Sequence, residues 1–337
     1  MQNRNALIDN TRGIAIFLVV YGHAIQVSTR DYDFFTNPLF TAIYAFHMPL
    51  FVSLSGFLLF QSQRKRQLLE LLAGKTKQIL IPLLIWSGLF LINDHFIYDT
   101  IAQEHPLSIL TPGLYVGEVT NTLWFLWSLF VSTVITAFIS KWVKDAWWAY
   151  AVAVLVVCLL PNRLHFYFIK FVFPYFIGGY LFHKYQQQLK LTTRVSMYLS
   201  FILFPVLLLF WRKAAYIYLG GPSFALYPLS SLTVVIYRYA VGLAGIVLAI
   251  TIVHGFLRGV KAPLLAKLGQ YSLGLYLISS LLNGVIAHTI NLSHESTLIY
   301  SFIFSLAVAI VACAISYGLT VLLSKNSLLN RYLFGGR

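Results

Sequence analysis

A chain of 337 residues that is 59% hydrophobic and only 10% charged, with a mean hydropathy of +0.77, is not an ordinary soluble domain, where roughly a quarter of residues are charged. The formal net charge of +14 would suit a nucleic-acid binder in a soluble chain; in a membrane chain a basic excess collects in cytoplasmic loops. Cys158 and Cys313 both sit inside apolar runs, which implies small core hydrophobes and no disulfide or metal framework.

The first apolar run, Leu7 to Ala24, carries Asp9, Arg12 and His23. Ionisable groups at membrane depth are costly and mark functional sites by default. At about 100° per residue the eleven steps from Arg12 to His23 return to within roughly 20° of the same direction, so the two side chains share one stripe, about 16 Å apart. Asp9, three residues before Arg12, lies on the same face. With Arg12 at the water boundary, His23 falls near mid-membrane, because the hydrocarbon is only ~30 Å thick. No small-x-small cleavage site follows at Gln26 to Arg30, so the run is expected to be a retained span.

The remaining apolar runs place spans at 41–61, 79–97, 123–140, 147–160, 164–183, 196–211, 232–256, 268–290 and 298–323, after the first at 12–29. The expectation is an all-α integral membrane protein, a bundle of about ten transmembrane helices. The fifth run is short for a crossing and is read as tilted, re-entrant or extended through Pro161. Lys and Arg alternate between loops: Arg64, Lys65, Arg66, Lys75 and Lys77 fall on one side, with Lys141, Lys144, Lys184, Lys190, Arg194, Arg258, Lys261, Lys267, Lys325, Arg331 and Arg337. Arg30, Arg163, Lys170, Arg212, Lys213 and Arg238 fall on the other, with most of the acids. This pattern places both termini in the cytoplasm. The longest outer loops are 98–122 and 212–231. The second holds Tyr216, Tyr218 and Tyr227, which suit either sugar binding or, as the stronger reading, anchoring at the membrane interface.

Within the second run, Pro49 removes a backbone donor and frees a carbonyl. Ser53, Ser55 and Gly56 suit close helix packing, and His47 is a second ionisable candidate toward the outer end. The segment Gly74 to Pro82 puts Lys75 and Lys77 at the mouth of the third helix. There they suit phosphate binding or, more simply on composition, the positive-inside pattern.

Asp9, Arg12 and His23, in the pattern ID-x-x-R-G-x9-H, resemble the opening signature of the membrane acyltransferase-3 family. FHMPLFVSLSGFLLF resembles that family's second-helix motif, the basic stretch before Pro82 its Arg-x-x-Arg segment, and Thr122 to Leu126 its Trp-Phe-Leu box. Phe173 to Tyr180 and Leu268 to Tyr276 resemble later blocks in the expected order. Two positions depart from the pattern. Lys75 and Gln78 stand where arginines are frequent, which weakens a bidentate phosphate grip, and Ser279 or a neighbour stands where many members carry a histidine.

The resemblance implies one membrane domain over 1–337, without a separate soluble domain, that moves an acyl group, usually acetyl from acetyl-CoA, to a carbohydrate hydroxyl. Its expected partners are acetyl-CoA as co-substrate, a surface or lipid-linked sugar and the bilayer, in a bacterial inner membrane; no metal, no permanent cofactor and no nucleic acid is expected. His23 is the candidate catalytic residue. Arg12, Asp9, His47, Trp124 and Tyr276 are candidates for substrate binding, and Arg12, Lys75 and Lys77 for the donor.

The residue chemistry fits acyl transfer on its own terms. A histidine in apolar surroundings is expected to be neutral at pH 7 and able to take a hydroxyl proton, or to attack the thioester as a nucleophile; both roles stay open at this point. Arg12 suits a phosphate or the thioester region, with Asp9 orienting it or balancing its charge. A secondary transporter or flippase with His23 and Arg12 along its pathway is the alternative.

Overall fold

The structure, a computed structural model, describes residues 6–29, 33–98, 111–186, 193–219, 229–257, 260, 262–289 and 297–336. Much of both long outer loops, with Tyr227 among them, lies outside the described residues. Among those described there is no strand. The helices are α1 (Ala6–Ser28), α2 (Pro38–Gln63), α3 (Leu68–Lys75), α4 (Ile81–Tyr98), α5 (Pro112–Gly117), α6 (Trp124–Trp142) and α7 (Trp147–Leu159). They continue with α8 (Tyr167–Tyr185), α9 (Thr193–Leu209), α10 (Leu229–Leu257), α11 (Pro263–Gln270), α12 (Ser272–Thr289), α13 (Leu298–Ser324) and α14 (Ser327–Phe334).

A helix stands on each of the ten apolar runs: α1, α2, α4, α6, α7, α8, α9, α10, α12 and α13. Among the described residues, five stretches are long and apolar enough to cross a membrane: Pro38–Gln63, Leu68–Asp94, Trp124–Trp142, Ser231–Leu257 and Leu298–Ser324. Helices dominate because a helix satisfies all its backbone groups internally, as an apolar medium demands. The third run starts earlier than its apolar residues suggest. A π-turn at Thr76–Leu80 joins α3 to α4, so Lys75 and Lys77 lie inside a continuous helical path and not in a loop at its mouth. Pro82 has no N–H for the Gln78 carbonyl, and the wider turn, with the Ile81 N–H on the Thr76 carbonyl, carries the chain past that gap. The helix on the fifth apolar run, α7, does not run through Pro161: it ends at Leu159, and Leu160 is extended, as the residue before a proline prefers.

The chain divides into two compact units, one of residues 1–54 and 182–321, the other of 55–181 and 322–337. In the first, α1 crosses α11 with backbones in contact. A Cβ on Gly13 would stand 2.1 Å from the Leu265 carbonyl oxygen, and one on Gly269 would stand 2.0 Å from that of Asp9, so only glycine fits at this crossing. The other side of α1 meets α13. Tyr21 donates to the Ser301 carbonyl at 3.0 Å, and the Ser28 and Ser305 hydroxyls share a bond of 2.6 Å. Tyr21 and Ser28 are two turns apart, so one face of α1 is spent on α13 while Arg12 and His23 are left to the other. Helices α2, α9 and α10 pack around Ala45, Phe204, Val241 and Ala244, with Phe46 edge-on to Phe204.

In the second unit, Tyr150 and Tyr180 are fully buried and converge on Asp145. Tyr180 also meets Gln63 at 2.7 Å. Helix α14 docks on α4 by a bond of 2.9 Å from the Trp86 indole to the Leu333 carbonyl.

Candidate active site

Within the first unit, α1, α2, α10, α12 and the segment 210–219 converge on a polar interior. Its centre is His23. Nδ1 of His23 lies 2.8 Å from the side-chain oxygen of Gln26, one turn along α1. An amide oxygen only accepts, so Nδ1 carries the hydrogen and donates, and Nε2 keeps its lone pair. The same Gln26 oxygen accepts from the Tyr44 hydroxyl of α2 at 3.0 Å. Tyr44 reaches across because Gly22 leaves room: a Cβ there would stand 2.6 Å from the tyrosine ring.

Tyr44 is also the hub of an aromatic cluster. Its ring stacks on Phe40 at 3.9 Å between centroids and meets the His47 ring edge-on at 4.7 Å. Tyr216 and Tyr218 stand against it at 6.4 and 6.2 Å. His47 is buried and donates from Nδ1 to the Ile43 carbonyl at 2.8 Å, so its Nε2 too is the accepting nitrogen. It lies close to His23 and Arg238. Tyr276, on α12, is buried and lies close to Tyr44 and Tyr218.

The structure thus brings His23, His47 and Tyr276 around one tyrosine. Arg12 lies at the other end of the α1 stripe and donates to Ser272 at 2.9 Å. Ser272 opens α12 one turn before Tyr276, so a single helix links the Arg12 end to the tyrosine cluster. Asp9 presents its backbone to Gly269 at the α1–α11 crossing. Ser279, where the resemblance places a histidine in many members, is buried and donates to the Tyr276 carbonyl.

Lys75, Lys77 and Trp124 belong to the second unit. Lys77, on the π-turn, is exposed, and Lys75, the last residue of α3, is half-buried. Trp124 is buried and stacked on Phe168 at 4.4 Å, so one ring face is taken by packing. Among the described residues no group of three or more His, Cys, Asp or Glu is placed to hold a metal ion.

Four residues of this interior were left out of the candidate set that the sequence offered. Arg238, counted above with the outer charges, is 2% exposed inside α10 and donates to the Ala45 carbonyl at 2.5 Å and the Tyr44 carbonyl at 2.8 Å. Ala45 is four residues before Pro49, so Arg238 takes up the carbonyl that the proline leaves without its helical partner. The signal was present: an arginine inside an apolar run is the same anomaly as Arg12. Tyr216, read as an interface anchor, is an interior residue, 2% exposed, with its hydroxyl bonded to Thr41 at 2.7 Å and the Phe35 carbonyl at 3.1 Å. Burial pushes its phenol up to about 12, so it stays neutral. Gln26 shares His23's face by its i+3 spacing, whereas nothing in the sequence marks Tyr44.

A helical chain with apolar spans, folded around two histidines and a knot of tyrosines, is an integral membrane protein with a polar interior. Residues 5–320 match the acyltransferase-3 family model, described as an acyltransferase domain, and the chain belongs to that family. Among curated proteins it is similar to nodulation protein NolL of Sinorhizobium fredii, with 32% identity over 185 residues, covering 53% of this chain and 49% of the relative. NolL of Mesorhizobium japonicum is 28% identical over 186 residues, covering 53% and 48%. The chain spans about half the length of these curated relatives. No solved structure matches it.

Proposed function

We propose that this protein is an O-acyltransferase of a bacterial inner membrane, which moves an acetyl group from acetyl-CoA to a hydroxyl of a surface carbohydrate or lipid-linked sugar. The observation that carries this reading is His23 itself: an imidazole with Nδ1 engaged by Gln26 and Nε2 left as a proton acceptor, beside His47 and the tyrosines. In the proposed step the acceptor oxygen bonds to the acyl carbonyl carbon while its proton passes to His23 Nε2. The C–S bond of the thioester breaks, and the leaving thiolate takes the proton back from the imidazolium. The products are an ester and a free thiol, with His23 restored as general base. The neutral tyrosines and His47 suit the hydroxyls and ring faces of a sugar; Arg12 suits the donor. Lys75 and Lys77 of the second unit are basic groups suited to CoA phosphates.

Purified protein, acetyl-CoA and a glycan acceptor, followed by thiol release, test the assignment. His23→Ala should insert and bind acetyl-CoA yet lose about 10²–10⁴-fold in turnover, the usual worth of one general base. His47→Ala should cost less. Near-normal turnover of His23→Ala with abolished turnover of His47→Ala would exchange the two roles. Full activity of both variants would place the base on another residue, and absence of thiol release by the wild type would favour a transporter.

A further inference from the structure

We infer that Gln26 is a positioning residue for the transfer step: its side-chain oxygen, shared with the Tyr44 hydroxyl, locks His23 into the tautomer with the hydrogen on Nδ1 and the lone pair on Nε2. The inference rests on the reading of His23 as the base and adds the device that sets its protonation. A neutral imidazole has two tautomers, and only one of them presents a basic nitrogen in a given direction. The Gln26 oxygen selects between them, because it accepts from Nδ1 at 2.8 Å and has no hydrogen to give. Its second lone pair takes the Tyr44 hydroxyl at 3.0 Å, so both donors are used and the amide is held from two helices. Tyr44 is itself fixed, stacked on Phe40 and with its backbone carbonyl bonded by Arg238. A chain of contacts therefore runs from Arg238 on α10 through Tyr44 on α2 and Gln26 to His23 on α1.

The arrangement does for His23 what a buried carboxylate does for the histidine of a serine hydrolase, namely fixing tautomer and ring direction. It does so without a charge. An uncompensated carboxylate is expensive to bury in an apolar interior, whereas a neutral amide with its oxygen doubly bonded is not. The i+3 spacing of His23 and Gln26 puts the two side chains on one face, so α1 supplies base and positioner together.

The test pairs kinetics with a direct reading of the tautomer in the full-length protein in detergent. With ¹⁵N-labelled histidine, the His23 signals are those that vanish in His23→Ala. The wild type should show a protonated Nδ1 and a bare Nε2, and Gln26→Met should show a mixture. Gln26→Met should lower kcat by about 10–100-fold, as loss of a partner that orients a functional imidazole does, with KM for acetyl-CoA and acceptor unchanged. Tyr44→Phe removes only the second bond to the Gln26 oxygen and should fall between wild type and Gln26→Met, which keeps the test open if the methionine variant folds poorly. A wild-type His23 with its hydrogen on Nε2, or a Gln26→Met enzyme with unchanged kcat, would overturn the inference. A raised KM together with a lowered kcat in Gln26→Met, with Tyr44→Phe like the wild type, would reduce Gln26 to a packing role and overturn the inference. Normal turnover in His23→Ala with the tautomer as described would instead remove the base assignment and leave the geometry standing.

Discussion

At the scale of single residues, the site depends on one absent side chain as much as on those present. Gly22 leaves the space that the Tyr44 ring fills, and a Cβ there would stand 2.6 Å from the ring's Cε2. The ring cannot yield easily, because Phe40 stacks on it and His47 stands at its edge. Gly22→Ala is therefore expected to destabilise by about 1–3 kcal/mol, the usual cost of overpacking, and to displace the tyrosine hydroxyl from Gln26. Thermal unfolding in detergent should show a lower midpoint, and turnover should fall. In a Tyr44→Ala background, itself destabilised by the loss of a buried ring, the same glycine change should lower the midpoint little further, because the clash is gone. Normal turnover of Tyr44→Ala alone would mean that Tyr44 only fills space.

At the scale of elements, α2 and α10 are joined by a bond that two sequence anomalies create together. Pro49 leaves the Ala45 carbonyl without its helical donor, and Arg238, itself costly inside an apolar helix, supplies one. Each residue resolves the other's difficulty. Arg238→Met should cost about 1–3 kcal/mol through the unpaired carbonyl alone. In a Pro49→Ala background the restored N–H of residue 49 can reach that carbonyl, so the same change should cost less. A double-mutant cycle on unfolding free energy should give a coupling of about 0.5–3 kcal/mol. Additive effects would show that Arg238 serves Tyr44 and Trp211, over whose ring it lies at 5.0 Å, and not the proline gap.

For the whole molecule, ten of the described helices fall on the ten apolar runs, and the loop charges predict that they alternate in direction with both termini in the cytoplasm. Cytoplasmic placement of both termini requires an even number of crossings. Reporter fusions after Lys77 and after Arg337 should both report cytoplasm, and one after Glu104 should report the opposite side. An outside signal at Lys77 would break the alternation. The location of that reporter matters beyond topology: Lys77 lies on the π-turn of a continuous helical path, and in the proposed reaction the phosphate-bearing donor is expected from the cytosol.

What the sequence determines here is local. Helix positions follow from apolar runs, since each backbone must satisfy its own hydrogen bonds in a membrane, and the common stripe of Arg12 and His23 follows from helical phase alone. The identity of the carbonyl freed by Pro49 was equally fixed by counting back four residues, and the Gln26–His23 pair lay one turn apart in plain view. Which helices meet is settled only once the chain has folded. Arg238 stands 193 residues from Ala45, and Arg12 stands 260 residues from Ser272. No periodicity within either helix specifies such a partner. The apolar effect that inserts helices is indifferent to which neighbours they choose. The choice falls to close contacts, such as Gly13 and Gly269 at the α1–α11 crossing, and to polar groups that must find each other once water is gone.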